Sequence, residues 1–292
     1  MPCALNPQTK IKKMWLQILD FLQNAGRFAL DMQKTAADGS RLKDKQIFSI
    51  VTKADLGVSE MFKDFVQTHF SNEDYLIIDE ESVSFEGGNV FERINQKTYQ
   101  FIIDPIDGTL VYANGMPSWG ILIGVFKNLK PVAGFIYLPA TKELAYCANN
   151  KAYYVQNAFE KNETKQALPF KKEPAPSIYL LHHNQYDVDY TGKVGQLITL
   201  DFYSQAANAL YTLIRNVRAN VCRCRLWDIA AVMAFIKPLG FVLKDRQTRQ
   251  NIESINSSWL NNKLALTKDI VLSKEEDFDE FTKVVSPKKN AI

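Results

Sequence analysis

Tyr99-Gln100-Phe101-Ile102-Ile103-Asp104-Pro105-Ile106-Asp107-Gly108-Thr109 is the stretch on which the fold turns. Tyr99–Ile103 is rich in β-formers and reads as a strand that delivers Asp104 to its end. Pro105 disfavours helix at Asp104 and fixes its own φ, so the chain must turn there. Within such a turn two carboxylates three residues apart can face one pocket, and hard cations such as Mg²⁺ take oxygen ligands of this kind. The Ile106 carbonyl lies between them as a further oxygen. Gly108 allows close backbone approach to a ligand, and the amides of Gly108 and Thr109 can bind an anion if a helix or turn starts there. Taken alone, the stretch also reads as a strand-ending turn with solvated aspartates, because Asp-Pro and Asp-Gly are common turn dipeptides.

Working outward, other acidic residues fall at element ends. Tyr75–Ile78 is strand-like and leads into Asp79-Glu80-Glu81. Ile47–Val51 is β-prone and leads through Thr52-Lys53-Ala54 to Asp55, where a helix with apolar Val58, Met61, Phe62, Phe65 and Val66 begins. Val221–Leu226 reads as a strand before Asp228, and Ile229–Ile236 as an apolar helix after it. Each position is bland by itself: Asp228 would serve as a helix cap. Together, Asp55, Glu80, Asp104, Asp107 and Asp228 can converge on one cleft.

The flanking chain supplies a scaffold. Trp15, Ile18, Leu19, Leu22, Ala25, Ala29 and Leu30 recur at helical spacing until Asp38-Gly39-Ser40 interrupts them. Ser84–Asn95 reads as a loop. Strands are expected at about Trp119–Val125, Pro131–Tyr137 and Leu144–Cys147. Asn157–Pro176, polar and carrying three prolines, is the expected connection between lobes. Beyond it, strand-like Ile178–Leu181 and helix-like Ala206–Leu213 and Ile229–Ile236 alternate, followed by a final helix and a frayed Ser286–Ile292 tail. The division predicted is residues 1–156, an N-terminal α+β lobe with the acidic motifs, and residues 157–292, a C-terminal α/β lobe that completes the site and its pocket.

Composition removes several classes of function. The 292 residues are 46% hydrophobic and 23% charged, enough to bury a core. Net charge is only +3, too balanced for a nucleic-acid polymer or an anionic membrane. The longest clean apolar run, Ile229–Ile236, falls far short of a bilayer span, and no secretory pattern is evident. Cys3, Cys147, Cys222 and Cys224 form no C-x-x-C pair and read as reduced thiols of a cytosolic protein.

At these motifs the chain resembles the inositol monophosphatase family. Asp104–Thr109 is similar to its Asp-Pro-Ile-Asp-Gly-Thr signature, and Trp227-Asp228-Ile229-Ala230-Ala231 to its C-terminal motif. Val51-Thr52-Lys53-Ala54-Asp55 and Glu80-Glu81-Ser82 resemble its two N-terminal acidic motifs. All four occur in order, and the resemblance covers about Trp15 to Ile252. It implies a two-lobed fold of layered helices and sheets (α-β-α-β-α, the sugar-phosphatase arrangement) and a Mg²⁺-dependent phosphomonoesterase acting on a small sugar or polyol phosphate. Two to three Mg²⁺ are implied. Glu80, Asp104 and the Ile106 carbonyl would hold one. Asp104, Asp107 and Asp228 would hold a second, with Asp104 bridging, and a looser third would sit near Glu80. Asp55 and Thr109, with Glu80, would prepare the attacking water, and Gly108 and Thr109 would bind phosphate. A homodimer and sensitivity to Li⁺ are implied in the same way.

Departures from the family pattern bear on substrate. Asp79 stands where a glycine is frequent before the acidic pair, and Asn149–Tyr153 lacks the family's glycine-rich segment. Val221 stands where inositol-specific members carry a glutamate. Asp107, Ala206 and Arg225 are the substrate-binding candidates. If Cys222–Trp227 is a strand, alternation sets Arg223 and Arg225 on the face opposite Cys222, Cys224 and Leu226, whose parity Asp228 shares, which favours a solvated face for the arginines. Lys43 or Lys45 is a candidate near the water network. Adjacent His182 and His183 would point to opposite faces of a strand, so they make a poor metal site. The rival readings on the same site are a 3′(2′),5′-bisphosphate nucleotidase, a fructose-1,6-bisphosphatase and a histidinol-phosphatase. Leu110, where nucleotidase-like members often carry lysine, tells mildly against the first. A different class of reading is an inactive relative that binds phosphorylated ligands.

Overall fold

A computed structural model of the chain describes residues 7–39, 53–82, 90–169, 177–181, 185–191 and 196–288. Helices α1 (Pro7–Gly39) and α2 (Lys53–Phe70) open the fold, followed by β1 (Tyr75–Asp79), α3 (Val90–Asn95), β2 (Tyr99–Asp107) and the short α4 (Thr109–Ala113). A meander of β3 (Gly120–Lys127), β4 (Lys130–Leu138), β5 (Glu143–Ala148), β6 (Lys151–Gln156) and β7 (Thr164–Ala167) comes next. Then follow β8 (Ser177–Leu180), β9 (Tyr186–Val188), β10 (Leu197–Leu200), α5 (Gln205–Ile214), β11 (Val217–Cys222) and α6 (Leu226–Leu239). The chain closes with β12 (Phe241–Asp245), β13 (Ile270–Lys274), α7 (Glu275–Val284) and β14 (Val285–Pro287).

Strands β1 to β7 form one seven-stranded sheet in sequence order. Among the described residues β1 and β2 pair in parallel and the other neighbours pair antiparallel. A five-stranded sheet runs β10-β8-β11-β13-β12, with β10, β8 and β11 parallel. Strand alternation decides what each sheet face meets. On β2, Phe101 and Ile103 pack with Trp15, Ile18, Leu22, Ala25 and Ala29 of α1 and with Val58, Phe62 and Val66 of α2. Ile102 points the other way, into a cluster with α5 and α6. The same cluster takes in Leu243, Ile270 and Leu272 of the five-stranded sheet, so α5 and α6 lie between the two sheets. The outer face of that second sheet (Tyr179, Ala219, Val221, Val271) is covered by Phe278 and Phe281 of α7. The result is the expected α-β-α-β-α layering.

Helix α6 sits unusually close to the first sheet. A Cβ on Gly124 would lie 2.7 Å from the Ala230 Cβ, and one on Gly134 would lie 1.9 Å from the Ala231 carbonyl oxygen. Glycine on the strands and alanine on the helix therefore set the spacing that brings the start of α6 over the end of β2.

Several local expectations change. Val90–Asn95, read as part of a loop, is helix α3, with Val90, Phe91 and Ile94 buried. Strands β6 and β7 extend the first sheet, β7 lying inside the stretch read as a connection. Ser286 and Pro287, read as tail, pair with β9 in β14. Ile47–Val51, Thr52, Lys43, Lys45, His182, His183 and Cys3 lie outside the described residues.

Candidate metal centre

The centre is assembled at strand ends. Strands β1 and β2 are parallel and pair Asp79 with Ile103, so Glu80 and Asp104 emerge side by side at their C-terminal edge. Asp104 shares the parity of Ile102 and so turns toward α6. A register shift on β2 between Asp104 and Asp107 then accommodates the Pro105–Ile106 turn. The Ile106 side chain enters the cluster with α1 and α2, while its carbonyl accepts from Thr109 Oγ1 at 3.2 Å. Gly108 takes φ 84°, and a Cβ there would lie 2.8 Å from the Ser204 Cβ. The turn therefore needs glycine for both its backbone conformation and the close approach of α5.

Asp107 is held from α5. Its Oδ2 accepts the Ser204 hydroxyl and the Ala206 amide, the latter at 2.6 Å. Ser204 is also the N-cap of α5, its Oγ accepting the Ala207 amide at 3.2 Å. The Ala206 side chain is buried against Gly120, so this residue reaches the site through its amide and does not line a pocket with its methyl.

Asp228 lies elsewhere than expected. Strand β11 stops at Cys222, and α6 starts at Leu226, so Asp228 lies within the first turn of the helix, not between a strand and a helix. Its Oδ2 reaches back to accept the Arg225 amide at 2.6 Å, satisfying one of the orphan donors of the helix start. Arg223 and Arg225 lie beyond the end of β11, so strand alternation does not set the faces they occupy. Arg223 points to Asp269, at 3.7 Å. Arg225 flanks the centre: its charge lowers the Glu80 carboxyl pKa and opposes the rise at Asp228, and its guanidinium lies 5.2 Å from the Trp227 ring centroid.

One carboxylate oxygen each from Asp104, Asp107 and Asp228 lie within 4.8 Å of one another. The electrostatics follow from that crowding. Burial, then the charges of Asp228, Glu81 and Asp107, push Glu80 up to about 8. Burial and Asp228 push Asp107 up to about 7, against the pull of the Ser204 and Ala206 donors. Asp104 is raised well above its ordinary range by burial, Glu80, Asp107 and Asp228. Burial also raises Asp228, opposed by hydrogen bonds from Asp104, the Arg225 amide and Cys224. Asp104 Oδ1 is sealed from solvent with no hydrogen-bond partner. A buried carboxylate oxygen without a donor is costly. Four carboxyls with raised pKa values, one of them holding an unpartnered oxygen, make a set that a divalent cation would relieve, and all the ligand atoms are the hard oxygens that Mg²⁺ or Ca²⁺ prefers.

Asp55 is buried in the first turn of α2. Its charge, after burial, raises the phenol of Tyr112, three residues beyond Thr109. Tyr112 in turn donates to the Ala29 carbonyl at 2.7 Å, and Gln33 donates to the Tyr112 carbonyl at 2.9 Å, so α1 braces the α4 turn.

The supporting residues escaped the sequence reading. Ser204 carries the signature of a helix cap before an alanine-rich helix, but nothing local announces that its partner is Asp107, 97 residues away. Asp79 stood out only as a departure from a glycine. Cys224, read only as a reduced thiol, donates a hydrogen bond to Asp228.

The chain belongs to the inositol monophosphatase family, whose sequence model matches residues 21–282. Protein qutG of Emericella nidulans is 27% identical over 60% of this chain and 50% of its own length. The fructose-1,6-bisphosphatase/inositol-1-monophosphatase of Thermotoga maritima is 27% identical over 81% of this chain and 82% of its own. The chain spans about half the length of the first of these relatives and most of the second. Among solved structures, a Ca-bound inositol monophosphatase family protein from Staphylococcus aureus superposes with a TM-score of 0.67 over 94% of both chains, at 15% identity, a likeness of fold. Among the described residues no helix is long and apolar enough to cross a membrane.

Proposed function

We propose that this protein is a Mg²⁺-dependent phosphoric monoester hydrolase acting on a small sugar or polyol phosphate such as inositol monophosphate. The observation that carries the reading is the convergence of Asp104, Asp107 and Asp228, from two sequence-distant motifs, on one cation-sized space. Glu80, Asp104 and the Ile106 carbonyl are assigned to one cation. Asp104, Asp107 and Asp228 would hold a second, Asp104 serving both and offering its unpartnered Oδ1. A looser third is placed near Glu80. Relatives were solved with Mg²⁺ and phosphate or with Ca²⁺, in keeping with an oxygen-ligated divalent site.

When bound, Mg²⁺ supplies Lewis acidity toward water and the phosphoryl oxygens and offsets charge on a poor alkoxide leaving group. The chain's own groups do the rest. Thr109 Oγ1 spends its proton on the Ile106 carbonyl, so it presents only acceptor lone pairs to a water. Asp55 is the second acceptor and takes that water's proton as the water oxygen bonds to phosphorus in line, while the bond from phosphorus to the alcohol oxygen breaks and the alcohol leaves with a proton from solvent. The amides of Gly108 and Thr109 would receive phosphoryl oxygens. Asp107, once anchored through Oδ2, keeps Oδ1 for cation or substrate. Arg225 is the candidate partner for a second anionic group on the substrate.

Related proteins include a histidinol-phosphatase of Chlorobaculum parvum and a 3′(2′),5′-bisphosphate nucleotidase, CysQ, of Haemophilus influenzae. The position of Arg225 beside Glu80 and Asp228 favours, as the second reading, a substrate with two phosphates. The free thiols Cys147, Cys222 and Cys224 support a cytoplasmic setting, and a homodimer is the family-based expectation for assembly. The test is phosphate release from inositol 1-phosphate, 3′-phosphoadenosine 5′-phosphate, fructose 1,6-bisphosphate and histidinol phosphate. Turnover is expected with Mg²⁺ and none with EDTA. Silence on the whole panel, or activity indifferent to EDTA, refutes the assignment.

A further inference from the structure

We propose that Asp79 is a positioning residue that locks the Glu80 turn onto the same stripe of α2 that carries Asp55. Asp79 ends β1 with its carboxylate buried. Oδ2 accepts the Ser59 hydroxyl and the Ser82 hydroxyl, the second at 2.8 Å, and faces Lys63 Nζ at 3.3 Å. Oδ1 accepts the Glu81 amide at 3.2 Å, and the Asp79 carbonyl accepts the Ser82 amide at 3.1 Å. One side chain therefore closes the turn on both sides of Glu80 and fastens it to a neighbouring helix.

The helix contacts are specific in their spacing. Asp55, Ser59 and Lys63 are four residues apart, so they lie on one face of α2. Asp79 binds the second and third of these positions while the first holds the carboxylate assigned to the attacking water. Glu80 and Asp55 come from different elements, the end of β1 and the first turn of α2. Ser59 and Lys63 supply the link through Asp79. A buried carboxylate is retained where its oxygens are met by donors, and here two of the donors belong to the turn and two to the helix. Glycine at this position would leave the turn free to sample other φ/ψ values and Ser59 without its acceptor. Partners of this kind orient ligands, and their loss typically lowers metal affinity or activity roughly ten- to a hundredfold.

The proposal rests on the assignment of Glu80 to a cation. The full-length protein and its Asp79→Gly, Asp79→Asn and Ser59→Ala variants are titrated with Mn²⁺, as a stand-in for Mg²⁺, followed by electron paramagnetic resonance. Phosphate release is measured against Mg²⁺ and substrate concentration. Asp79→Gly is expected to weaken Mn²⁺ binding by about ten- to a hundredfold, with kcat recovering at high Mg²⁺ and KM for substrate unchanged. Ser59→Ala is expected to shift the same quantities in the same direction by less, and Asp79→Asn to fall between Asp79→Gly and wild type. A merely structural Asp79 would lower the melting temperature and leave Mn²⁺ affinity at the wild-type value, which overturns the proposal. Should Asp79→Gly fail to fold, wild-type Mn²⁺ affinity in Ser59→Ala overturns it equally. Wild-type protein that binds no Mn²⁺ removes the metal-centre reading itself, whereas binding that is unchanged in the variants removes only the role of Asp79.

Discussion

The amide of Ala206 donates to Asp107 Oδ2 across 2.6 Å, joining the first residues of α5 to the end of β2. Ser204 adds its hydroxyl to the same oxygen and caps the helix with the same atom. Ser204→Ala should therefore do two things at once. It should cost about 1 kcal/mol of stability through the lost cap, and weaken cation binding roughly tenfold by loosening Asp107. Thermal unfolding with EDTA reads the first effect and Mg²⁺-dependent activity the second. A variant that loses stability with an unchanged Mg²⁺ requirement would place Ser204 in the scaffold alone.

Asp104→Asn should separate catalysis from folding. The substitution replaces a carboxyl whose ionised form is opposed by burial, Glu80, Asp107 and Asp228 with an amide that needs no proton to be neutral, so the cation-free variant should melt higher than the cation-free wild type near neutral pH. Its kcat should fall by more than about a hundredfold, since even residues behind the ligands are worth that much. Its melting temperature should also stop responding to Mg²⁺. Retained activity would remove Asp104 from the centre.

The pH dependence of the cation-free protein has a defined sign. Glu80 is pushed up to about 8 and Asp107 to about 7, so the folded state holds protons that the unfolded chain releases near the ordinary carboxylate range. Stability from these two groups is fully present below their unfolded pKa values, near 4, and is lost as pH rises through 7 and 8. In EDTA the melting temperature should fall over that span, and Mg²⁺ should stabilise more at the alkaline end than the acidic one. A Mg²⁺ effect independent of pH would contradict this.

Gly134→Ala should damage the centre from a distance. The new methyl would sit 1.9 Å from the Ala231 carbonyl oxygen, forcing α6 outward and carrying Asp228 with it. A destabilisation of about 2–3 kcal/mol is expected, with a raised Mg²⁺ requirement in whatever remains folded. Full activity and wild-type stability would show that the helix-to-sheet distance is not what positions Asp228.

The two arginines should behave differently. Arg225→Ala is expected to raise KM roughly tenfold or more for substrates with a second anionic group and to leave monophosphates unaffected, given the strength of charge-assisted hydrogen bonds. Arg223→Ala should change neither, because its guanidinium turns to Asp269. Equal responses from the two variants would exclude Arg225 from the pocket.

By itself the sequence determined the local pieces of this protein. Apolar spacing marked α1 and α2, and the run Tyr99–Ile103 followed by Asp-Pro and Asp-Gly marked a strand that ends in a turn lined with carboxylates. Those signals are local because helix and strand periods, the fixed φ of proline and the freedom of glycine act over a few residues. Membership of the family was legible for the same reason, since its motifs are contiguous. The tertiary structure decided everything that depends on distance. It moved the start of α6 back to Leu226, which put Asp228 inside a helical turn and separated Arg225 from Arg223. It gave Asp107 its donors from α5 and Asp79 its donors from α2. Burial and charge crowding, which set the protonation of Glu80, Asp104, Asp107 and Asp228, arise only when remote segments are packed together. No window of the sequence contains them.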